Sequence, residues 1–330
     1  MPASHYKHRY SVAPMMDWTT SECRQFHRIL SKQTLLYTEM VTSGAIIHGE
    51  KERFLDFDRS EHPVALQLGG HDPKDLATCA KLAQQWGYDE VNLNAGCPSD
   101  RVQNGMIGAI LMAHSQVVSD AMKAMQDAVD IEVTLKHRIG IDDQDSYEFM
   151  RDFVGTVQAE SNCKTFIVHA RKAILQGLSP KENREIPPLE YERVIQLKKD
   201  FPHLNIVING GIKSHQDSLA LLEQGLDGVM IGREAYQSPL SLVNVDSIFY
   251  GTTDSFSQPE MLNPFLIDWV NQQVASGKPL KYVARHMLGL YSGKPGSRQY
   301  RRYMSENMHK DQAGSDIFEH AINLIKADSF

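Results

Sequence analysis

Eight short apolar segments recur along the chain. They are Ser11-Val-Ala-Pro14, Leu35-Leu-Tyr-Thr38, Val64-Ala-Leu-Gln-Leu68, Glu90-Val-Asn-Leu-Asn94, Val133-Thr-Leu-Lys136, Thr165-Phe-Ile-Val-His169, Asn205-Ile-Val-Ile-Asn209 and Gly228-Val-Met-Ile-Gly232. Their starts lie 23 to 43 residues apart, with helical patterns mostly between them, which is the rhythm of strand–helix–strand units. One of these helices is fully signposted. Asp72 can cap it, Pro73 suits its first turn, Leu76, Cys79, Ala80, Ala83 and Trp86 form a stripe, and Gly87 stops it. Eight such units predict an α/β fold of the (β/α)8 TIM-barrel type, with active residues at the C-terminal ends of the strands. A doubly wound sheet is the rival, but its first strand should run into a glycine-rich turn that is absent here. Two connections are long, Gly96 to Ala113 and Ala170 to Pro188, and long loops on that face commonly build a site.

The strand rhythm ends after Tyr236. Gly251 to Gln258, rich in Ser, Thr and Gly, reads as a linker. Beyond it Leu262, Phe265, Leu266, Trp269, Val270 and Val274 recur at helical spacing up to Gly277, and two further helical stretches follow, the last from Ile317 to Ala327. The chain therefore divides into a barrel over residues 1–250 and a small all-helical domain over 251–330.

Charge changes this picture more than composition does. The whole chain carries −7, but Lys278 to Lys310 holds eight lysines and arginines against a single acid, Glu306. That stretch is +7 and the remainder −14, which points to a local docking surface for phosphates. Arg298, Arg301 and Arg302 share one helix face, interleaved with Tyr300 and Tyr303, a pattern suited to nucleic acid as well as to a plain solvated face. Lys181 and Arg184, in the second long loop, could extend the same field. No apolar run approaches the roughly 18 residues of a membrane span, and the first residues lack the apolar stretch of a signal peptide. The four cysteines form no C-x-x-C pair. A cytoplasmic protein with reduced thiols is expected.

Candidate chemistry sits at the strand ends. Cys97, flanked by Gly96 and Pro98 after the fourth strand, is placed to present its thiol as a proton donor or a nucleophile, whereas Cys23, Cys79 and Cys163 lie in or beside helical patterns and read as packing. Lys136 and His169 end strands five and six; each is either functional or structural, and Gln67, at the end of strand three, is weaker. Asn209-Gly-Gly211 after strand seven and Gly232-Arg233 after strand eight are either two glycine turns or the two halves of a phosphate cradle. No motif suggests a catalytic metal.

Taken in order, Ala13-Pro-Met-Met-Asp-Trp18, Gln67-Leu-Gly-Gly70, Asn92-Leu-Asn-Ala-Gly-Cys97-Pro-Ser99, Lys136-His-Arg-Ile-Gly140, His169-Ala-Arg171, Asn209-Gly-Gly211 and Gly232-Arg233 resemble the tRNA-dihydrouridine synthases. Ser179-Pro-Lys-Glu-Asn-Arg-Glu-Ile-Pro-Pro188 and Arg298-Gln-Tyr-Arg-Arg-Tyr303 resemble the A-type bacterial enzymes in particular. The resemblance implies a barrel that binds FMN, is reduced by NADPH, and saturates the 5,6 double bond of uridine 20, with 20a, in the tRNA D-loop. It implies that Pro14, Met15, Met16, Gln67, Lys136, His169, Asn209, Gly210, Gly211, Gly232 and Arg233 hold FMN, and that Cys97 is the general acid. Asn94 would touch the target nucleotide, and Lys181, Arg184, Arg298 and Arg301 would orient tRNA. His137 departs from the pattern, which favours a smaller polar residue beside the lysine. No membrane and no obligate protein partner are implied. The rival functions are a non-catalytic tRNA-binding or folding protein and a flavin reductase of small pyrimidines or enoates.

Overall fold

The computed structural model describes residues 6–99, 105–256 and 261–325. Eight parallel strands close into a barrel in sequence order: β1 (Tyr10–Val12), β2 (Leu35–Thr42), β3 (Val64–Gly69), β4 (Glu90–Ala95), β5 (Glu132–Arg138), β6 (Thr165–His169), β7 (Asn205–Asn209) and β8 (Gly228–Ile231), with β1 pairing both β2 and β8. The expected TIM barrel is therefore present, and every expected strand overlaps an observed one. Closure removes the sheet edges, and the β2–β3 register shifts between Tyr37 and Met40.

The signposted helix runs Pro73–Trp86, with the Asp72 carboxylate accepting from the Lys74 and Asp75 backbone N–H groups and Gly87 in the left-handed region at its end. Leu76, Cys79, Ala80 and Ala83 are its buried face. Along each strand the side chains alternate between the barrel interior and the helical layer. Ala13, Leu35, Tyr37, Ala65, Ile167, Val207 and Met230 pack together as a buried cluster. His137 instead lies against the rings of Phe153 and Phe166, buried, with Nδ1 at 2.7 Å from the Arg138 carbonyl oxygen. Burial pushes that imidazole down to about 4.

Packing divides the chain differently from the sequence-based boundary at 250/251. Among the described residues, one compact unit comprises Tyr6–Met16 and those from Leu35 to Gly232; the other joins Asp17–Thr34 to those from Arg233 onward. The helix Ser21–Leu30 thus packs with the C-terminal helices. The physical link is the buried Asp246: its carboxylate accepts from Ser31 Oγ at 2.5 Å and from the backbone N–H groups of Lys32 and Gln33 at 2.7 and 3.0 Å. Lys278 adds an ion pair to Glu22 at 3.1 Å.

Within this helical unit the helix Leu262–Ala275 buries Leu262, Leu266 and Val270, a stripe at i+4 spacing. Phe265, expected on the same stripe, is 59% exposed and touches the ring of Phe256 instead. The helix Ser297–Asn307 carries the arginines, and the last one spans Asp316–Ile322. Residues 257–258 of the expected linker and 326–327 of the expected last helix lie outside the described residues.

Candidate active site

The mouth of the barrel, at the C-terminal ends of the strands, gathers most of the residues singled out by sequence. Cys97 follows β4 and is the only one of the four cysteines that is not buried. Its loop is held from several sides. The Asn94 side-chain oxygen accepts from the backbone N–H groups of Gly96 and Cys97 at 3.0 and 2.9 Å, a turn in which a side chain replaces backbone as the acceptor. The Cys97 carbonyl accepts from Ala109 N–H at 2.8 Å. This approach requires Gly108, whose φ is +82° and whose Cβ, if present, would stand 2.3 Å from the Cys97 oxygen. Cys79 and Cys163 are buried, and their thiols are pushed up to about 12 by that burial, so neither is a ready proton donor.

Lys136, directly across the β4–β5 ladder from Asn94, is half-buried, and its ammonium makes no hydrogen bond or ion pair among the described residues. Burial pushes its ammonium down to about 7; Arg138 adds to the drop and Cys97 opposes it. His169 sits at the end of β6 with Nδ1 buried and without a hydrogen-bond partner. Its imidazole is held well below the usual range, first by burial and then by the cations Arg138, Lys136, Arg171 and Arg184. Arg138, Lys136, Arg171 and Arg184 therefore all act on this ring in the same sense, favouring its neutral form.

The sequence assigns Arg138 no role. Its guanidinium is buried and donates to three backbone carbonyls: Gly96 at 2.8 Å, Lys172 at 3.0 Å and Asn183 at 3.1 Å. It ties the Cys97 loop to the long loop after β6. That loop is folded around the buried Asn183, which bonds Ile174 in both directions, and it leaves Lys181 and Arg184 exposed.

The glycine turns differ from each other. Asn209 is buried and donates to the Met230 carbonyl at 2.7 Å, which joins the ends of β7 and β8. Gly210 has φ +116°, and a Cβ there would lie 3.2 Å from both His169 and Leu189. At Gly232, by contrast, an added Cβ would meet nothing within 4 Å. Packing explains the glycine at 210; only open space beside the strand end goes with the one at 232. Pro14 and Met15 are half-buried after β1, and Met16 is 57% exposed. Arg233 opens the helix Arg233–Gln237 of the other unit.

In the helical unit Arg298 is exposed and unpaired among the described residues. Arg301 is exposed with Nε 3.3 Å from the Leu288 carbonyl oxygen, while Arg302 pairs with Glu306 at 2.8 Å. Tyr300, which the sequence pattern grouped with the arginines, is fully buried and donates to the Met287 carbonyl, so it belongs to the core. No helix among the described residues is long and apolar enough to cross a membrane.

Asn92 and Thr134, to which the sequence assigns no role, line the barrel interior with Gln67. Gln67 Nε2 donates to Asn92 at 2.7 Å, and Asn92 Nδ2 donates to Thr134 at 2.8 Å. Lower still, His8, Glu90 and Glu132 lie close enough to suit a metal ion, but Lys7 contacts both carboxylates, at 3.3 and 2.9 Å. His8 is raised to about 9, so the group reads as two cations on two carboxylates.

The eight-stranded α/β barrel gathers these side chains at the C-terminal ends of its strands, the face on which enzymes of this fold place their active sites. Residues 11–326 match the family model described as dihydrouridine synthase, and the chain belongs to that family. It is 58% identical over 321 residues to the tRNA-dihydrouridine(20/20a) synthase of Escherichia coli (strain K12), covering 97% of this chain and 92% of that one. It is likewise 58% identical over 317 residues to the tRNA-dihydrouridine(20/20a) synthase of Vibrio vulnificus (strain CMCP6), covering 96% and 97%. The family's enzymes are flavin-dependent oxidoreductases that reduce uridine in tRNA, and this chain is such an enzyme.

Proposed function

We propose that this enzyme reduces the 5,6 double bond of uridine 20, and of 20a, in the D-loop of tRNA, in the cytoplasm, with FMN as its flavin and NADPH as the reductant. The observation that carries this reading is the set of unsatisfied groups at the mouth. The unpaired Lys136 ammonium, the orphaned His169 Nδ1 and the open space at Gly232 all fit one bound anionic cofactor. Lys136, His169, Gln67, Pro14, Met15 and Met16 would hold it. The backbone N–H groups of Asn209, Gly210, Gly211 and Gly232, with Arg233, take its phosphate.

A flavin held there would supply hydride chemistry, and the uracil would take up the hydride at carbon 6. Cys97 Sγ then gives its proton to carbon 5 as general acid. Asn94 spends its oxygen on the Cys97 loop and one Nδ2 hydrogen on Gln67, leaving a single N–H for the nucleotide. The target base leaves its stack to enter the mouth. Lys181, Arg184, Arg298 and Arg301 hold tRNA phosphates while it does so.

The test is dihydrouridine mapping in tRNA from cells lacking the protein, complemented with wild type or with Cys97→Ala. Wild type should restore dihydrouridine at positions 20 and 20a. The purified Cys97→Ala protein should keep its flavin and its oxidation of NADPH, while uracil reduction slows by about 10²–10⁴-fold, the usual contribution of a positioned acid. Restoration at another position overturns the site assignment, and full activity of Cys97→Ala overturns its role.

A further inference from the structure

A chain of side-chain hydrogen bonds runs up the barrel interior from the start of β4 to the Cys97 loop. Thr134 Oγ1 donates to Glu90 Oε1 at 2.6 Å, and Asn92 Nδ2 donates to Thr134 Oγ1 at 2.8 Å. Gln67 Nε2 donates to Asn92 Oδ1 at 2.7 Å, and Asn94 Nδ2 donates to Gln67 Oε1 at 2.9 Å. Asn94 Oδ1 then accepts from the Gly96 and Cys97 backbone N–H groups. Glu90, Asn92 and Thr134 are fully buried, and Gln67 and Asn94 nearly so.

Both ends of this chain have fixed polarity. A backbone N–H can only donate, so Asn94 must turn its oxygen toward Gly96 and Cys97. At the other end Glu90 is held as an acceptor. Its carboxylate lies 3.0 Å from His8 and 3.3 Å from Lys7, and it also accepts from Tyr37 Oη at 2.7 Å. Between these ends each amide has one orientation that satisfies both neighbours, and all three point the same way. Reversing any one amide would set donor against donor and acceptor against acceptor among buried side chains.

We infer that Asn92 and Thr134, anchored on Glu90, are positioning residues for Cys97: they fix the Asn94 amide that holds the acid's loop at the barrel mouth. Neither residue reaches the mouth itself. The inference rests on the proposed role of Cys97 only for its effect on turnover; its effect on the loop is independent of that role.

Thr134→Val keeps the shape of the side chain and removes the hydroxyl, leaving Asn92 Nδ2 without its acceptor and the amide chain without its anchor. The experiment uses the flavin-loaded full-length enzyme and follows iodoacetamide alkylation, a readout specific to Cys97 because the other three cysteines are buried. Thr134→Val should alkylate at Cys97 roughly fivefold faster than wild type, the equivalent of one net hydrogen bond released from the loop. Thr134→Ser, which keeps the hydroxyl, should alkylate at the wild-type rate. Turnover on tRNA should fall in kcat for Thr134→Val with KM for tRNA unmoved.

Asn92→Asp gives a second reading that does not depend on the first variant folding. The new carboxylate cannot donate to Thr134, but it regains that ability when protonated, so its excess alkylation should disappear as pH is lowered, relative to wild type at the same pH. Alkylation of Thr134→Val indistinguishable from wild type, or an Asn92→Asp profile parallel to wild type, overturns the inference. Retained activity in Cys97→Ala would instead remove the general-acid role while leaving the alkylation comparison intact.

Discussion

At the N-terminal ends of β4 and β5, Glu90 and Glu132 face Lys7 and His8, and burial decides what each group costs. Burial alone would push the His8 imidazole down, yet Glu90 and Glu132 outweigh it and raise it to about 9. Burial would likewise raise Glu90, but His8 and Lys7 hold its carboxyl below the usual range, and they do the same for Glu132. For His8 the folded value lies above the free one of 6.5, so its stabilisation is complete below that value and is lost as pH rises through about 9. The two glutamates act in the opposite sense: their stabilisation is present above the usual 4.5 and disappears in acid. Stability should therefore form a plateau between these limits. Wild-type Tm should drop between about pH 7 and about pH 10, whereas His8→Gln should start lower and follow a flatter curve over that range. Parallel Tm curves for the two proteins would show that His8 does not carry the alkaline loss.

The turns after β7 and β8 show why a glycine must be judged in its element. At Gly210 a valine would meet His169 and Leu189 and would strain a φ of +116°, so loss of cofactor there would say little about phosphate binding. Gly232 is the better probe because the protein leaves open space around it and its backbone needs no left-handed conformation. Gly232→Val should fold with an unchanged circular dichroism spectrum and Tm but purify without its flavin colour, since the added methyl groups take the volume assigned to the cofactor phosphate. A variant that is folded and carries stoichiometric flavin would refute the phosphate cradle.

For the molecule as a whole, the charge distribution decides how it meets its substrate. A chain that is −14 outside residues 278–310 repels a polyanion in general and must receive it at chosen places. Arg298 and Arg301 are both exposed on the helix Ser297–Asn307, and neither forms an ion pair among the described residues, so they are available for phosphates. The double change Arg298→Glu with Arg301→Glu should weaken tRNA binding most at low salt. It should reduce the log–log salt slope by roughly 0.7–0.9 for each phosphate that is no longer neutralised. Flavin absorbance and NADPH oxidation should not change. A fall in Tm with an unchanged salt slope would show that these arginines hold the protein together rather than the RNA.

The eight strands, the capped helix Pro73–Trp86 and the presented thiol were legible in the sequence because each is a local pattern: alternation, a capping residue, a cysteine between a glycine and a proline. The charge of the helical region was legible for the same reason, as was the family through its ordered motifs. Other features depend on which residues the closed barrel brings together across distant strands. No local signal says that Phe265 is exposed and Tyr300 buried, or that Asp17–Thr34 packs with the C-terminal helices through Asp246. The role of Arg138 is of this kind, since its three carbonyl acceptors come from positions 96, 172 and 183. One interior signal was present in β4, where the polar residues Glu90, Asn92 and Asn94 alternate on the face that a barrel must bury. Its meaning was not, because a buried amide is defined by its partners, and Gln67 and Thr134 reach it from neighbouring strands only once the ring has closed.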